Sequence, residues 1–332
     1  MKIIIRNCNV AELDIPLKYA TKLYNEFAIR HPNAFYLRTR QRGMQNWDGK
    51  IKYITKTGQF KIGLLPSVYK RCIELGIKPI IVDMRQPLPK VSKVVTQIGK
   101  YKLRPEQEKA VKAILSNKLG ETPFQIGVLD YTVNAGKTLI MSALYLSYKK
   151  QLKTLLITND SDWLNQARDE FKQYLPGEDI TFVQGKVLNW SNFTIGMVQS
   201  ISRNMKYYQN ELAKIDMVLI DEADQGGSKQ YQNVITRLFN TRVRIGLSGT
   251  IYMSKLAKDK VKNMNLRCFF GDVIAEFKLK DSIKKGYSTK TIVKTVEGKP
   301  WFGNWESDCM SYNEIYDDSI THNKFAWTMA LD

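Results

Sequence analysis

The sequence has 332 residues, 43% of them hydrophobic, and a formal net charge of +19, enough chain for two or three domains with real cores. No apolar run approaches the ~20 residues of a membrane span, and the opening Met-Lys-Ile-Ile-Ile-Arg turns polar too soon for a secretory signal. Cys8, Cys72, Cys268 and Cys309 lack the spacing of a disulfide framework or a metal knuckle, and two distant histidines, His31 and His322, argue against a zinc site or a His-based triad. A cytoplasmic protein is expected. The charge is uneven: residues 1–95 hold 18 Lys/Arg against 6 Asp/Glu. Such a skew points to a polyanion, nucleic acid before a membrane surface.

In chain order, Lys2 to Arg6 reads as a strand, and the apolar spacing of Leu17, Ala20, Leu23, Tyr24 and Phe27 predicts a helix over 15–29, ended by His31-Pro32. Strands are expected at 36–40, 50–55 and 60–63, with Asp48-Gly49 and Thr57-Gly58 as turns, then a helix over 66–75 and a strand over 78–82. Together these make a small α+β domain, set at residues 1–92, with Gln86-Pro87-Leu88-Pro89-Lys90 as its linker. Between Arg30 and Lys61 eight cations (Arg30, Arg38, Arg40, Arg42, Lys50, Lys52, Lys56, Lys61) face a single acid, Asp48. Cations on a surface neutralise phosphates by releasing counterions. Arg38, Arg40, Arg42, Lys50 and Lys52 are therefore candidate nucleic-acid contacts, while most of the interleaved aromatics (Phe35, Tyr36, Trp47, Tyr53, Phe60) read as core.

From residue 93 the pattern changes. A helix starting at Pro105 precedes an apolar run at 126–130. Strands at 154–158, 180–183, 193–198, 216–220 and 243–247 then alternate with helices at 139–148, 162–174 (Ser161 as its N-cap), 202–212 and 229–239. The alternation argues for an α/β fold with a parallel sheet flanked by helices, whose ligands gather at the carboxyl ends of the strands.

Three polar signatures fall at those ends. Asn134-Ala135-Gly136-Lys137-Thr138 closes the loop after the first strand, where backbone N–H groups and a helix N-terminus cradle an anion. Lys137 suits a β/γ-phosphate and the Thr138 hydroxyl suits Mg²⁺. The loop departs from the usual pattern at Tyr131 and at Asn134, a residue that can adopt a left-handed backbone at some cost. Asp221-Glu222 follows Met217-Val218-Leu219-Ile220; two carboxylates there are costly unless they bind metal or orient a water. Ser248 and Thr250 can hydrogen-bond Asp224 and couple nucleotide state to movement.

These residues resemble a superfamily 2 helicase. Asp221-Glu222-Ala223-Asp224 matches the second motif of the DEAD-type proteins, and Ser248-Gly249-Thr250 resembles the third. Leu103-Arg104-Pro105-Glu106-Gln107 resembles the adenine-reading segment, which implies that Arg104 stacks on the base and Gln107 reads its edge. Residues 155–171 and 195–201 occupy the places of two DNA-contacting motifs, which implicates Gln199 in DNA contact, although Asn159 stands where Pro is usual. Asn46-Trp47-Asp48-Gly49-Lys50-Ile51 and Gly63-Leu64-Leu65-Pro66 resemble the accessory domain of phage recombination helicases. The resemblance implies a RecA-like domain over 93–272, ATP and Mg²⁺ as cofactors, DNA as partner, and remodelling of branched DNA by fork regression and Holliday-junction migration in recombination and repair. A restriction-type duplex translocase and a branched-DNA binding module with little ATPase activity are the alternatives.

Residues 273–332 are expected to begin a second RecA-like domain, with a strand over 289–296 and a helix over 323–331. The motifs such a domain supplies are absent from the sequence. The expectation is that the 332 residues bind nucleotide and DNA but hydrolyse ATP weakly or not at all without a second RecA-like domain, deleted or separately encoded.

Overall fold

The computed structural model describes residues 1–40, 43–185, 189–252 and 257–290. Arg42 and the strand and helix expected beyond residue 290 lie outside them. Near the N-terminus, β1 (Lys2–Ile5) pairs antiparallel with β2 (Val10–Asp14) and the helix α1 (Leu17–Glu26) follows. β3 (Ala28–Arg30) and β4 (Lys50–Lys52) make a two-stranded antiparallel ribbon whose 31–49 excursion carries α2 (Ala34–Arg40). β5 (Gln59–Lys61), a 3₁₀ turn at Ile62–Leu64, α3 (Leu65–Glu74) and β6 (Ile80–Asp83) complete a four-stranded sheet in the order β5-β2-β1-β6.

The strand expected at 36–40 is therefore helix α2. Its inward stripe is Ala34 and Leu37, three residues apart, which is helical rather than alternating spacing. The helix expected over 15–29 is also shorter, because β3 takes its last residues as the partner of β4.

The larger part starts with two two-residue pairs, β7 (Gln97–Ile98) with β8 (Tyr101–Lys102) and, after α4 (Pro105–Ser116), β9 (Lys118–Leu119) with β10 (Thr122–Pro123). Its frame is a sheet of seven parallel strands. In chain order they are β11 (Ile126–Tyr131), β12 (Thr154–Thr158), β13 (Ile180–Val183), β14 (Phe193–Met197), β15 (Met217–Asp221), β16 (Val243–Ser248) and β17 (Val273–Phe277). Their order in space is β13-β14-β12-β15-β16-β11-β17. The strands that carry the sheet read as near-continuous apolar runs because both faces are covered.

On one face Leu129, Tyr131, Leu156, Leu219, Ile245 and Leu247 pack under α4, α5 (Lys137–Ser147) and α6 (Ser161–Tyr174). On the other, Val128, Leu155, Ile157, Val218 and Ile220 share one core with Ile3, Ile5, Leu23 and Val68 of the N-terminal elements. Helices α7 (Val198–Arg203), α8 (Met205–Leu212), α9 (Lys229–Ile235) and α10 (Ala257–Phe270) also border that second face. The chain closes its described part with α11 (Leu279–Lys284).

Two expected boundaries are thus crossed by packing. β17 pairs with β11 through Val128↔Val273 and Tyr131↔Phe277, so the sheet runs past residue 272. The core also runs without a break across the linker at 86–90, and Met1–Ser288 form one compact unit.

Arg244 is the pin of that junction. It sits on central strand β16, 1% exposed, and donates to the carbonyl oxygens of Phe269 (3.2 Å) and Cys8 (2.8 Å) and to Asn9 Oδ1 (2.8 Å). Asn9 in turn donates to the Thr236 carbonyl at 3.1 Å. Burial pulls the Arg244 guanidinium down to about 10, yet three acceptors keep it a cation at neutral pH. Gly63 completes the fit: a Cβ there would stand 2.1 Å from the Arg267 carbonyl oxygen and 2.7 Å from that of Cys268.

Candidate functional site

Strand order brings the three polar signatures together. β15, β16 and β11 are neighbours, so the loops at their carboxyl ends lie side by side although they are far apart in sequence. β11 and β15 are two strand spacings apart, about 10 Å, a gap that a lysine side chain spans.

Lys137 makes that crossing. Its Nζ lies 3.8 Å from Asp221 Oδ1 and 3.5 Å from Glu222 Oε1. Asp221 ends a fully buried strand and is itself 4% exposed. Burial pushes its carboxyl up to about 6 and the neighbouring Glu222 adds to the rise, while Lys137 and the Glu222 backbone N–H oppose it. Glu222 stands differently, its side chain 42% exposed and its backbone left-handed at φ 48°. A non-glycine residue held there costs roughly 1–3 kcal/mol, which the surrounding packing must supply. One buried carboxylate and one accessible carboxylate on adjacent residues suit two different tasks.

The anion cradle is built from the other side. Asn134 takes φ 63° and Gly136 φ 71°, two left-handed residues that fold the 132–136 loop back over the start of α5. Gly136 suits that left-handed backbone, and a Cβ there would lie 2.4 Å from Gln107 Nε2 and force that side chain to shift. Gln107 donates to the Ala135 carbonyl at 2.9 Å and accepts from the Arg104 backbone N–H at 2.8 Å; Arg104 Nη2 donates to the Asn134 carbonyl at 3.2 Å. The two residues expected to meet a base therefore also fix the loop. Both polar ends of Gln107 are engaged within the chain and the residue is 3% exposed. The Arg104 guanidinium carbon lies over the Tyr287 ring, 4.3 Å from its centroid. Tyr131, standing where the loop pattern has glycine, is buried and donates its hydroxyl to the Glu106 carbonyl at 2.8 Å. It ties β11 to α4 rather than touching the cradle.

Thr138 is the second residue of α5 and is 8% exposed. Together with Asp221 it offers hard oxygen donors of the kind a magnesium ion takes. Among the described residues no group of three or more His, Cys, Asp or Glu could hold a metal by itself, so any cation here needs donors from elsewhere, such as phosphate oxygens. In the coupling segment, Ser248 Oγ donates to Asp224 Oδ1 at 3.0 Å, accepts from the Thr250 N–H at 3.2 Å and lies 3.4 Å from the Thr250 hydroxyl.

The remaining expected contacts fall into two groups. Arg38 and Arg40 project from α2 into solvent and Lys50 is exposed at the start of β4. Lys52 is partly committed: its Nζ lies 3.3 Å from Asp48 Oδ2 and 4.5 Å from the centroid of the Tyr24 ring. Gln199 donates to the Asn159 carbonyl at 3.3 Å, and Asn159 Nδ2 donates to Gln225 Oε1 at 2.6 Å. That chain joins the ends of β14 and β12 to the residue after Asp224, a link the sequence did not disclose. Asp160, not Ser161, caps α6, its carboxylate accepting from the N–H groups of Asp162 (2.8 Å) and Trp163 (3.1 Å). Two adjacent residues were both eligible caps, and the acid has the stronger acceptor.

Residues 100–253 match the family described as "Type III restriction enzyme, res subunit". Over 147 residues (44% of this chain, 27% of the relative) the sequence is 26% identical to a protein of Acanthamoeba polyphaga mimivirus described as an ATP-dependent RNA helicase. Over 272 residues (76% of this chain, 51% of the relative) it is 23% identical to the ATP-dependent DNA helicase UvsW of Enterobacteria phage T4. The matched part spans about half the length of UvsW and about a quarter of the mimivirus protein. A crystal structure of the UvsW helicase from bacteriophage T4 superimposes with a TM-score of 0.64 at 21% identity, covering 83% of this chain and all of the other. In its motif order the chain resembles the superfamily 2 helicases, it is similar in sequence to UvsW over 76% of its length, and it shares that protein's fold.

Proposed function

We propose that the chain is the ATP-binding and DNA-binding part of a motor that remodels branched DNA in the cytoplasm, by fork regression and Holliday-junction migration. The observation that carries this is Lys137 set between Asp221 and Glu222 at the carboxyl end of the sheet, in one compact unit with a basic α+β face. Without nucleotide, Lys137 serves as the counter-charge for both carboxylates. When ATP binds, the β- and γ-phosphates draw Lys137 off, and the backbone N–H groups behind Gly136 hold them at the start of α5. Magnesium bound there would neutralise charge developing on the γ-phosphate, held by Thr138 and by an Asp221 that must be ionised. Glu222, accessible and on a stiff backbone, orients the attacking water. Ser248 and Thr250 sense this through Asp224, and the Gln225–Asn159–Gln199 chain carries it to the strand ends where nucleic acid would lie.

Similarity to UvsW extends over 76% of the chain, beyond the 100–253 segment of the restriction-subunit family, which favours junction remodelling over plain duplex translocation. The test is Lys137→Ala, followed by nucleotide binding and DNA-junction remodelling in the full protein. Both should be lost; unchanged remodelling would eliminate the motor reading.

A further inference from the structure

Phe35 is the most exposed large hydrophobic residue of α2, 80% accessible, and Tyr36 beside it is 53% accessible. Neither is core, contrary to the pattern expected of the interleaved aromatics. The reason lies in helix geometry: α2 turns Ala34 and Leu37 inward, which leaves Phe35 with Arg38, three residues on, and Tyr36 with Arg40, four residues on, facing outward. The second pair is formed in the structure. The Arg40 guanidinium carbon lies 4.8 Å from the Tyr36 ring centroid and its Nη1 donates to the Tyr36 hydroxyl at 3.3 Å. Among the described residues the Phe35 ring has no such partner.

The ribbon holds this helix in place. The His31 N–H donates to the Gly49 carbonyl at 2.8 Å, Trp47 Nε1 donates to the Lys50 carbonyl at 2.9 Å, and buried Ala34 packs where Gly49 has no side chain. A fixed, bare phenyl ring flanked by arginines, in a stretch with one acid, fits one kind of partner: a polyanion that also offers flat apolar faces. Nucleic acid meets that description where its bases are unstacked. In an intact duplex every base face is covered by its neighbour, so only branches, gaps and single strands present one.

Resting on the DNA-binding reading above, the geometry points to Phe35 as a base-stacking residue that recognises unpaired nucleobases at a DNA branch point. Arg38 and Arg40 hold the flanking phosphates, which any DNA supplies; Phe35 distinguishes a branch from plain duplex.

The experiment compares wild type, Phe35→Ala and Phe35→Trp in the full chain. The substrates are a forked oligonucleotide with 2-aminopurine at the branch and a relaxed, covalently closed circular duplex. Phe35→Ala should weaken fork binding roughly tenfold, in line with the loss of one base–aromatic stack, and leave the closed duplex unchanged. Phe35→Trp should restore fork binding, with tryptophan and 2-aminopurine emission both quenched on the fork alone. Equal losses on both substrates, or no loss on either, overturn the proposal. An Arg38→Ala/Arg40→Ala protein that binds both DNAs like wild type refutes the basic-face reading instead, so the two failures are distinguishable.

Discussion

Asp221→Asn should make the nucleotide-free protein more stable at neutral pH while abolishing its response to magnesium. Burial holds the Asp221 carboxyl at about 6 instead of 3.8. Keeping it ionised at neutral pH therefore costs ~3 kcal/mol, at about 1.36 kcal/mol per unit. Asparagine has the same shape, keeps an acceptor for the Glu222 N–H and carries no charge. Lys137 loses one of its two partners in the exchange, which returns part of the gain. The net rise in Tm should therefore be on the order of 3–8 °C for a unit of this size. The sign with pH follows from a folded-state pKa that is raised. The native protein binds this proton more tightly than the unfolded chain, so Asp221 costs nothing below pH ~4 and its full penalty above pH ~6. Thermal unfolding of both proteins across that range should show Tm values that coincide near the acid end and separate as pH rises. Added ATP with magnesium should stabilise the wild type beyond ATP alone, and the variant should lack that increment. A variant less stable than wild type at neutral pH, or a gap that does not change with pH, would show that burial is not what sets this carboxyl.

Gly63→Ala places a methyl group 2.1 Å from a backbone carbonyl oxygen at the junction of the N-terminal elements with α10. It should cost ~3 kcal/mol or more in chemical denaturation, where exposed Gly43→Ala, with no heavy atom within 4 Å, should cost less. Arg38→Ala and Arg40→Ala should each reduce the slope of log affinity against log salt by about 1, a flat dependence in the parent counting against phosphate contact. Asn159→Ala removes the bridge from Gln199 to Gln225, so nucleotide affinity should hold while its response to added DNA falls several-fold. An undiminished response, measured by fluorescent-nucleotide titration, would place the coupling elsewhere.

Much of the sheet was legible in the chain because its strands are buried on both faces and so read as apolar runs ending in polar letters. The convergence of Lys137 on Asp221 was legible for the same reason: a parallel sheet puts every carboxyl end on one side. What stayed hidden has a common cause, namely that the deciding partner is remote in sequence. Nothing local in the 243–247 strand signals that Arg244 is buried; its acceptors at Cys8 and Asn9 lie more than two hundred residues earlier. β17 was assigned past the end of its domain because nothing local reveals that Val273–Phe277 returns to pair with β11. Taken alone, residues 36–40 read as a strand, and the helical stripe becomes visible only once Ala34 is set beside Leu37. That last error bears on function. The expectation places most of the interleaved aromatics in the core and leaves the contacts to the cations, whereas the helix puts Phe35 and Tyr36 outside among them. A surface of cations alone binds any duplex equally, whereas the branch remodelling proposed above needs something on that surface that duplex cannot satisfy. On this face the side chain with that property is Phe35.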